Sequence, residues 1–195
     1  ANETTVYNSE INHQYSKTIQ FEKDLQQYIK ENISDEMRYF SILRPLNELQ
    51  IAFLFSKLKQ YHTHFRSCNN GSKINSWCCN CAKCLFTYII LSPFIQQKEL
   101  VKIFGKNLLE KEELQQTFNQ LIGISAIKPF ECVGTREETN IAIIKTIEIL
   151  NKKNKKLPLL LKYYDTLNIK NNYQHINFNE YMHHINNVHC IPVSF

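Results

Sequence analysis

The sequence predicts a mainly α-helical fold that carries a zinc-stapled knuckle of four cysteines and at most a few short strands. Apolar residues recur at helical spacing along almost all of the 195 residues, and 43% of the chain is hydrophobic. Only 4 Gly and 5 Pro are present, whereas all-β folds need many tight turns. Seven cysteines, several in a metal-like pattern, favour a reducing compartment over a disulfide framework.

The first third of the chain predicts two helices and one strand. Apolar residues at helical spacing predict a helix over residues 18–31. Residues 38–43 predict a short strand that ends before Pro45. Asn47, with Gln50 three positions later, has the pattern of a capping box and predicts the start of a second helix.

The remaining chain predicts a series of helices. One buried helix is expected to end before Pro93, and shorter ones are expected over residues 100–104 and 114–122. Three further helix starts are predicted, at Thr135 with Glu138, at Pro158, and at Asn177 with Glu180. The basic run at residues 152–156 is typical of a solvated linker, so we divide the chain into a region 1–150 and a helical extension 151–195.

Four cysteines within residues 68–84 give the strongest signal in the sequence: Cys68, Cys78, Cys81 and Cys84. The last three form two overlapping C-x2-C steps, and four thiolates suit a tetrahedral Zn²⁺. Cys79 lies inside the turn, where its side chain should point away from a metal. The alternative is a group of reduced, buried cysteines.

The charge and hydropathy pattern narrows the function classes. A formal charge of +5 and a pI of about 8.8 fit an anionic ligand such as a sugar nucleotide, and also fit weak nucleic-acid contact. Aromatic residues are not interleaved with basic ones, so nucleic acid is a disfavoured partner. The longest apolar run, residues 84–95, is too short and interrupted to span a bilayer. With no signal-peptide pattern, we expect a cytoplasmic location, and homo-oligomers are left open.

Two polar segments near the amino terminus are candidate anion sites. His13, Ser16 and Lys17 precede a helix, whose free N–H groups could meet a phosphate. The alternative is an ordinary helix cap, with Ser16 or Thr18 as the acceptor. Arg44 could hold a carboxylate or a phosphate through its planar guanidinium, or it could pair with Glu48 four residues on.

A third segment, residues 128–135, places a thiol and a carboxylate just before a capped helix. The thiol of Cys132 lies where a thiolate is favoured and could act as nucleophile or base, with Glu131 beside it. The alternative is a small, buried hydrophobic cysteine.

Five segments, read in order, resemble the bacterial UDP-N-acetylmuramoyl-L-alanyl-L-glutamate epimerases: residues 12–17, 41–52, 65–69, 77–84 and 128–134. The resemblance covers most of residues 1–140. That family inverts the terminal L-Glu of UDP-MurNAc-L-Ala-L-Glu for peptidoglycan synthesis, using ATP and Mg²⁺. The substrate implied here is therefore a sugar-nucleotide dipeptide.

The resemblance also implies roles for individual residues. Cys132, helped by Glu131, would transfer the Cα proton. The nucleotide or carboxylate pocket would be lined by His13, Ser16, Lys17 and Arg44. The zinc would be structural.

Two departures from the family pattern matter. The family usually has Gly where Cys79 stands, and the Gly-rich phosphate loop S-G-G-x-D-S of the related ATP-pyrophosphatases is missing. We therefore interpret the chain as the carboxyl-terminal part of such an enzyme, inactive by itself. The alternatives are an ATP-pyrophosphatase-like enzyme that modifies a nucleobase, or a zinc-stapled module that binds nucleic acid or protein.

Overall fold

Eight α-helices and one short hairpin form the regular structure of the residues that the computed structural model describes, which are 3–6, 9–12 and 15–193. Strands β1 (Glu3–Val6) and β2 (Ser9–Asn12) are antiparallel, with Glu3 opposite Asn12. The helices are α1 (Ile19–Asn32), α2 (Glu48–Lys57), α3 (Ala82–Leu91), α4 (Gln97–Phe104), α5 (Gln115–Ile122), α6 (Arg136–Lys152), α7 (Leu159–Asp165) and α8 (Phe178–His183). The predicted fold class, mainly helical with few short strands, is confirmed.

The chain divides into two compact units. One comprises residues 1–47 and 184–195, and the other comprises residues 48–183. The predicted division at residue 150 stays a prediction. None of the described helices is long and apolar enough to cross a membrane.

In the first unit, the strand predicted over residues 38–43 is wrong. These residues, all of them described, form an extended segment and a turn, with the Arg44 N–H donating to the Ser41 carbonyl at 3.1 Å. The N–H groups of Tyr39 and Ser41 donate to side chains of α1 instead of to a neighbouring strand. These backbone N–H groups therefore bind side-chain acceptors on a helix, and not the neighbouring strand that the residue pattern predicts.

Helix α3 is central to the second unit. Eight of its ten residues are buried, so it is covered on nearly all sides, as its continuous apolar sequence predicts. It packs against α2, α5 and α6. The buried hydroxyl of Tyr88 in this helix donates to Asn107 Oδ1 at 2.9 Å.

The predicted helix starts are confirmed where capping signals were strongest. Thr135 and Glu138 form a complete capping box at the start of α6. Asn177 Oδ1 accepts from the N–H groups of Asn179 and Glu180 at the start of α8. Pro158 is the N-cap of α7 rather than a first-turn residue.

Candidate metal centre and the neighbouring Cys132 turn

The four predicted cysteines lie together, with all four sulfurs within 4.8 Å of one another. The measured separations are 3.9 Å for Cys68 and Cys81, 3.7 Å for Cys78 and Cys84, and 3.5 Å for Cys81 and Cys84. A tetrahedron with metal–sulfur bonds of about 2.3 Å has sulfur–sulfur edges of about 3.8 Å. A disulfide would need about 2.05 Å. The four cysteines therefore have the spacing of ligands to one tetrahedral metal ion.

Neighbouring sulfurs in the cluster shift each other's pKa values. The hydrogen bond between Cys81 and Cys84 lowers the pKa of the Cys81 thiol to about 4, although burial opposes this shift. The same contact, together with burial, raises the pKa of Cys84. The lowered pKa of Cys81 favours its thiolate, which is the form that binds metals.

The loop that brings Cys68 to the other three depends on Gly71. Its N–H donates to Cys68 Sγ at 3.2 Å. A Cβ atom on Gly71 would lie 2.2 Å from the carbonyl oxygen of Ser76, which no side chain could tolerate. The loop then reaches Trp77, whose ring packs on Phe104 with centroids 4.5 Å apart. Backbone proximity and aromatic packing therefore help to position the loop that carries Cys68 and Cys78.

Cys79 faces away from the cluster, as its place inside the turn predicts. Its side chain is buried, and its thiol donates to the Phe104 carbonyl at 3.0 Å. Its φ of +56° lies in the left-handed region that favours glycine, which explains why glycine suits this position. The ammonium of Lys111 binds the Cys79 carbonyl at 2.9 Å and helps to hold this backbone conformation.

Cys132 lies at the apex of a three-residue turn over residues 131–133, here called the Cys132 turn. The Val133 N–H donates to the Glu131 carbonyl at 2.8 Å, which closes the turn. The ammonium of Lys128 lies 3.3 Å from the Val133 carbonyl. The Cys132 side chain is half-buried, so its thiol combines a defined position with partial exposure.

The Glu131 carboxylate connects this turn to the metal centre. Glu131 Oε2 accepts from the backbone N–H of Lys83 at 2.8 Å, and Lys83 lies between the cysteines at 81 and 84 in the first turn of α3. The pKa of Glu131 is raised overall by burial and by the neighbouring Cys81, although the Lys83 N–H lowers it. The carboxylate lies at the positive end of α3, whose dipole favours an anion and so opposes the effect of burial.

A second carboxylate, that of Glu138, joins the starts of α2 and α6. Its oxygens accept from the N–H and hydroxyl of Thr135 at 2.7 and 2.8 Å, and from the N–H of Glu48 at 2.9 Å. Burial and the charge of Glu138 raise the pKa of Glu48. A Cβ atom on Gly134 would lie 2.6 Å from Phe86 Cζ and 3.1 Å from Glu48 Cγ. The beginnings of α2, α3 and α6 therefore converge on the segment that carries Cys132.

One predicted anion-binding residue of the first unit, Arg44, binds other groups of that unit. Arg44 donates through Nε and Nη2 to Glu22 Oε2 at 3.0 and 2.8 Å, and through Nη1 to the Lys17 carbonyl at 2.9 Å. The alternative of an ion pair with Glu48 is wrong, because the partner is the buried Glu22. No local sequence signal indicates Glu22, since it precedes Arg44 by 22 residues.

Two other residues of that prediction, Ser16 and Lys17, lie at the surface. Ser16 and Lys17 belong to a short, exposed 3-10 helix, Tyr15–Lys17. Thr18, not Ser16, caps α1 by accepting from the Phe21 N–H at 3.1 Å. His13 lies outside the described residues. A role of these residues in ligand binding stays a prediction.

Two segments of the chain match the two domains of one known protein family. Residues 64–172 match the MurL C-terminal domain, and residues 1–42 match the MurL N-terminal domain. The chain belongs to the MurL family. The larger match contains the four clustered cysteines and the Cys132 turn, so both features lie within the MurL C-terminal domain.

Three curated relatives of this MurL-family chain carry the name UDP-N-acetyl-alpha-D-muramoyl-L-alanyl-L-glutamate epimerase. The protein of Xanthomonas oryzae pv. oryzae is 39% identical over 140 residues, which is 69% of this chain and 31% of that protein. The Micromonospora protein is 39% identical over 138 residues, which is 69% of this chain and 31% of that protein. The Salinispora tropica protein is 36% identical over 138 residues, which is 69% of this chain and 30% of that protein. The chain thus spans less than a third of their length. No solved structure matches it.

Proposed function

We propose that the natural protein containing this chain is an ATP-dependent epimerase that converts the terminal L-Glu of UDP-MurNAc-L-Ala-L-Glu to D-Glu for peptidoglycan synthesis in the bacterial cytoplasm. The observation that carries this proposal is the match of both MurL domains, together with relatives named for this epimerisation. Neither a nucleobase-modifying enzyme nor a zinc-stapled binding module is favoured by a specific observation.

The chemistry requires activation of a weakly acidic C–H bond. An α-carboxylate oxygen of the terminal Glu attacks the α-phosphorus of Mg²⁺-bound ATP, and pyrophosphate leaves. The resulting acyl adenylate acidifies the Cα–H, so a base can remove this proton and a proton can return on the opposite face. Water then cleaves the mixed anhydride, which releases the D-Glu carboxylate and AMP.

Cys132 is the residue we assign to proton transfer, with Glu131 supporting it. The thiol stands at the apex of a closed turn, and three helices begin beside that segment. The positive ends of these helices would favour an anionic substrate carboxylate. In the same proposal, His13, Ser16, Lys17 and Arg44 line the nucleotide or carboxylate pocket, with Arg44 held in place by Glu22.

The cysteine cluster is assigned a structural Zn²⁺. Four protein sulfurs complete a tetrahedral shell and leave no position for a catalytic water. The ion would fasten the loop of residues 68–81 to the first turn of α3, because Cys84 lies within that helix and Cys81 directly precedes it.

Solvent exchange tests the proposed reaction. The natural protein that contains these residues, incubated in D₂O with UDP-MurNAc-L-Ala-L-Glu, ATP and Mg²⁺, is expected to incorporate deuterium at the Glu Cα and to produce D-Glu. Mass spectrometry and chiral analysis follow both products. The 195 residues assayed alone should give no exchange, because they contain no Gly-rich phosphate loop. Absence of ATP-dependent exchange in the natural protein would exclude the assignment.

Two cysteine variants test the role of Cys132 in the exchange assay. The C132S variant should lose exchange by about 10²-fold or more, because a hydroxyl is a much weaker base than a thiolate. The C190S variant, which removes another half-buried cysteine, should keep the wild-type rate. Equal rates for C132S and wild type would remove Cys132 from the mechanism while leaving the epimerase assignment intact.

A further inference from the structure

We infer that the metal centre sets the position of the Cys132 turn, and that Glu131 is the positioning residue that connects the two. This inference deepens the proposed function, since it rests on zinc in the cysteine cluster and on a role for Cys132. It assigns the Glu131 carboxylate to holding the turn rather than to moving a proton.

The connection is a short chain of contacts. Two of the four metal-ligand candidates, Cys81 and Cys84, enclose Lys83 in the sequence, so an ion bound by both cysteines fixes the Lys83 backbone. The Lys83 N–H donates to Glu131 Oε2 at 2.8 Å. One peptide further on, the Glu131 carbonyl closes the turn around Cys132 by accepting from the Val133 N–H at 2.8 Å. Glu131 thus uses its side chain for the metal centre and its backbone for the Cys132 turn.

Helix α3 needs this carboxylate. Within the described part of the chain, Cys81 is the N-cap and makes no side-chain capping hydrogen bond, and the first turn of α3 contains no acidic residue. Glu131, 48 residues away in sequence, therefore supplies the anionic acceptor that a local Asp or Ser would normally provide. Without a bound ion, Glu131 alone would hold this first turn, so we expect the turn to fray and the carboxylate to lose its donor.

Coupling between two sites is reciprocal, because each biases the same equilibrium. If an ion at the cysteines orders the Cys132 turn through Glu131, loss of Glu131 must weaken metal binding. Residues that orient metal ligands from outside the coordination shell contribute about 10–100-fold to metal affinity. The two consequences, weaker zinc binding and an altered Cys132, are measurable without substrate or ATP.

The first experiment measures zinc affinity by competition with a chromogenic chelator. We expect E131A to bind zinc about 10–100-fold more weakly than wild type. E131Q, whose amide oxygen can still accept from the Lys83 N–H, should recover most of this loss. The matched control is E110A, because Glu110 Oε2 binds the first N–H of α7 in the same way but contacts no cysteine ligand. E110A should leave zinc affinity unchanged.

The second experiment follows alkylation of Cys132 by iodoacetamide, resolved from the other cysteines by peptide mass spectrometry. Removal of zinc from the wild type should accelerate alkylation of Cys132, since the turn loses its fixed position and the half-buried thiol becomes more accessible. Zinc-loaded E131A should show the same acceleration, whereas zinc-loaded E131Q and E110A should react like wild type.

Two results would overturn the inference. One is an E131A protein with wild-type zinc affinity and wild-type Cys132 reactivity, and the other is a Cys132 rate that does not change when the metal is removed. Neither result depends on epimerase activity, so the D₂O exchange assay separates failure of this inference from failure of the proposed function.

Discussion

Single residues in the cysteine turn show why chemically alike side chains have different roles. Cys79 and Cys81 are two positions apart, yet Cys79 Sγ faces the Phe104 carbonyl while Cys81 Sγ lies 3.5 Å from Cys84 Sγ. The left-handed backbone at Cys79 turns its side chain away from its neighbours. The local backbone conformation, and not the residue type, therefore decides which thiols are available to a metal.

Zinc content tests this distinction. Metal analysis of the purified wild-type chain should give about one Zn per chain, since four thiolates complete one tetrahedral site. C81S should lose most of this zinc, because a serine hydroxyl is a poor ligand for Zn²⁺. C79S is the matched control and should keep it. Loss of zinc in C79S with retention in C81S would reverse the ligand assignment.

The Glu48 carboxyl gives a pH-dependent prediction. Its pKa is raised in the folded chain by burial and by Glu138, so ionisation of Glu48 disfavours the folded state. This penalty is absent below the unfolded pKa of about 4.3 and is complete above the raised folded pKa. E48Q should therefore be more stable than wild type near neutral pH, and the difference should vanish as the pH falls towards about 4.

Thermal unfolding measures this difference. Because Glu48 keeps accessible surface, we expect a gain of no more than about 0.5 kcal/mol, or about 1–2 °C in Tm. Comparing the two proteins at each pH cancels the pH dependence of metal binding, which both share. A Tm difference that is constant from pH 4.5 to 7.5 would contradict the role of Glu48 ionisation.

Helix ends, more than helix faces, organise the candidate site. Glu138 caps its own helix α6 and also accepts from the first N–H of α2, 90 residues away in sequence. Glu131 similarly serves the start of α3. Each carboxylate satisfies donors that would otherwise be lost at a helix terminus, and in doing so it holds two segments together.

Substitutions at the α6 capping box separate the local capping of α6 from the hydrogen bond that Glu138 accepts from α2. T135A removes a local cap and should cost about 1 kcal/mol. E138A should cost more, about 2–4 kcal/mol, because it leaves the Glu48 N–H and the Thr135 N–H without their charged acceptor. Urea unfolding followed by circular dichroism measures both. Equal costs would mean that the bond from Glu138 to α2 contributes nothing to stability.

The amphipathic pattern of the helices could be recognised in the sequence, but the contacts between their ends could not. Apolar spacing predicted α1, α3, α4 and α5 close to their observed bounds. The Thr135 and Glu138 pair predicted the start of α6, because both partners of a capping box lie within four residues. Residues 38–43 were misassigned as a strand, because their backbone partners are side chains of α1.

In the second unit as a whole, residues 48–183, the metal centre and the Cys132 turn meet at one end of the buried helix α3. Metal removal should therefore affect this end selectively. A chelator should reduce helicity and thermal stability, since binding free energy at a structural zinc site contributes directly to folding. The chelated chain serves as its own control after zinc is restored.

Hydrogen exchange of the backbone amides identifies the residues that lose protection when the metal is removed. Protection of backbone amides should fall most in residues 68–86 and 131–135, and least in α7, whose first N–H is held by Glu110 and not by the cysteine loop. Uniform loss of protection over residues 48–183 would instead indicate that the ion stabilises the unit without a local role.

Cysteine spacing and apolar periodicity, both short-range properties, were sufficient to predict a helical fold and four grouped thiols, whereas the resemblance to the epimerases rested on five ordered segments. The partners of Arg44 and Glu131 emerged only from the folded chain, as did the left-handed conformation of Cys79. The reason is physical: a hydrogen bond between groups 22 or 48 residues apart depends on how helices pack, and that packing leaves no periodic trace in the sequence.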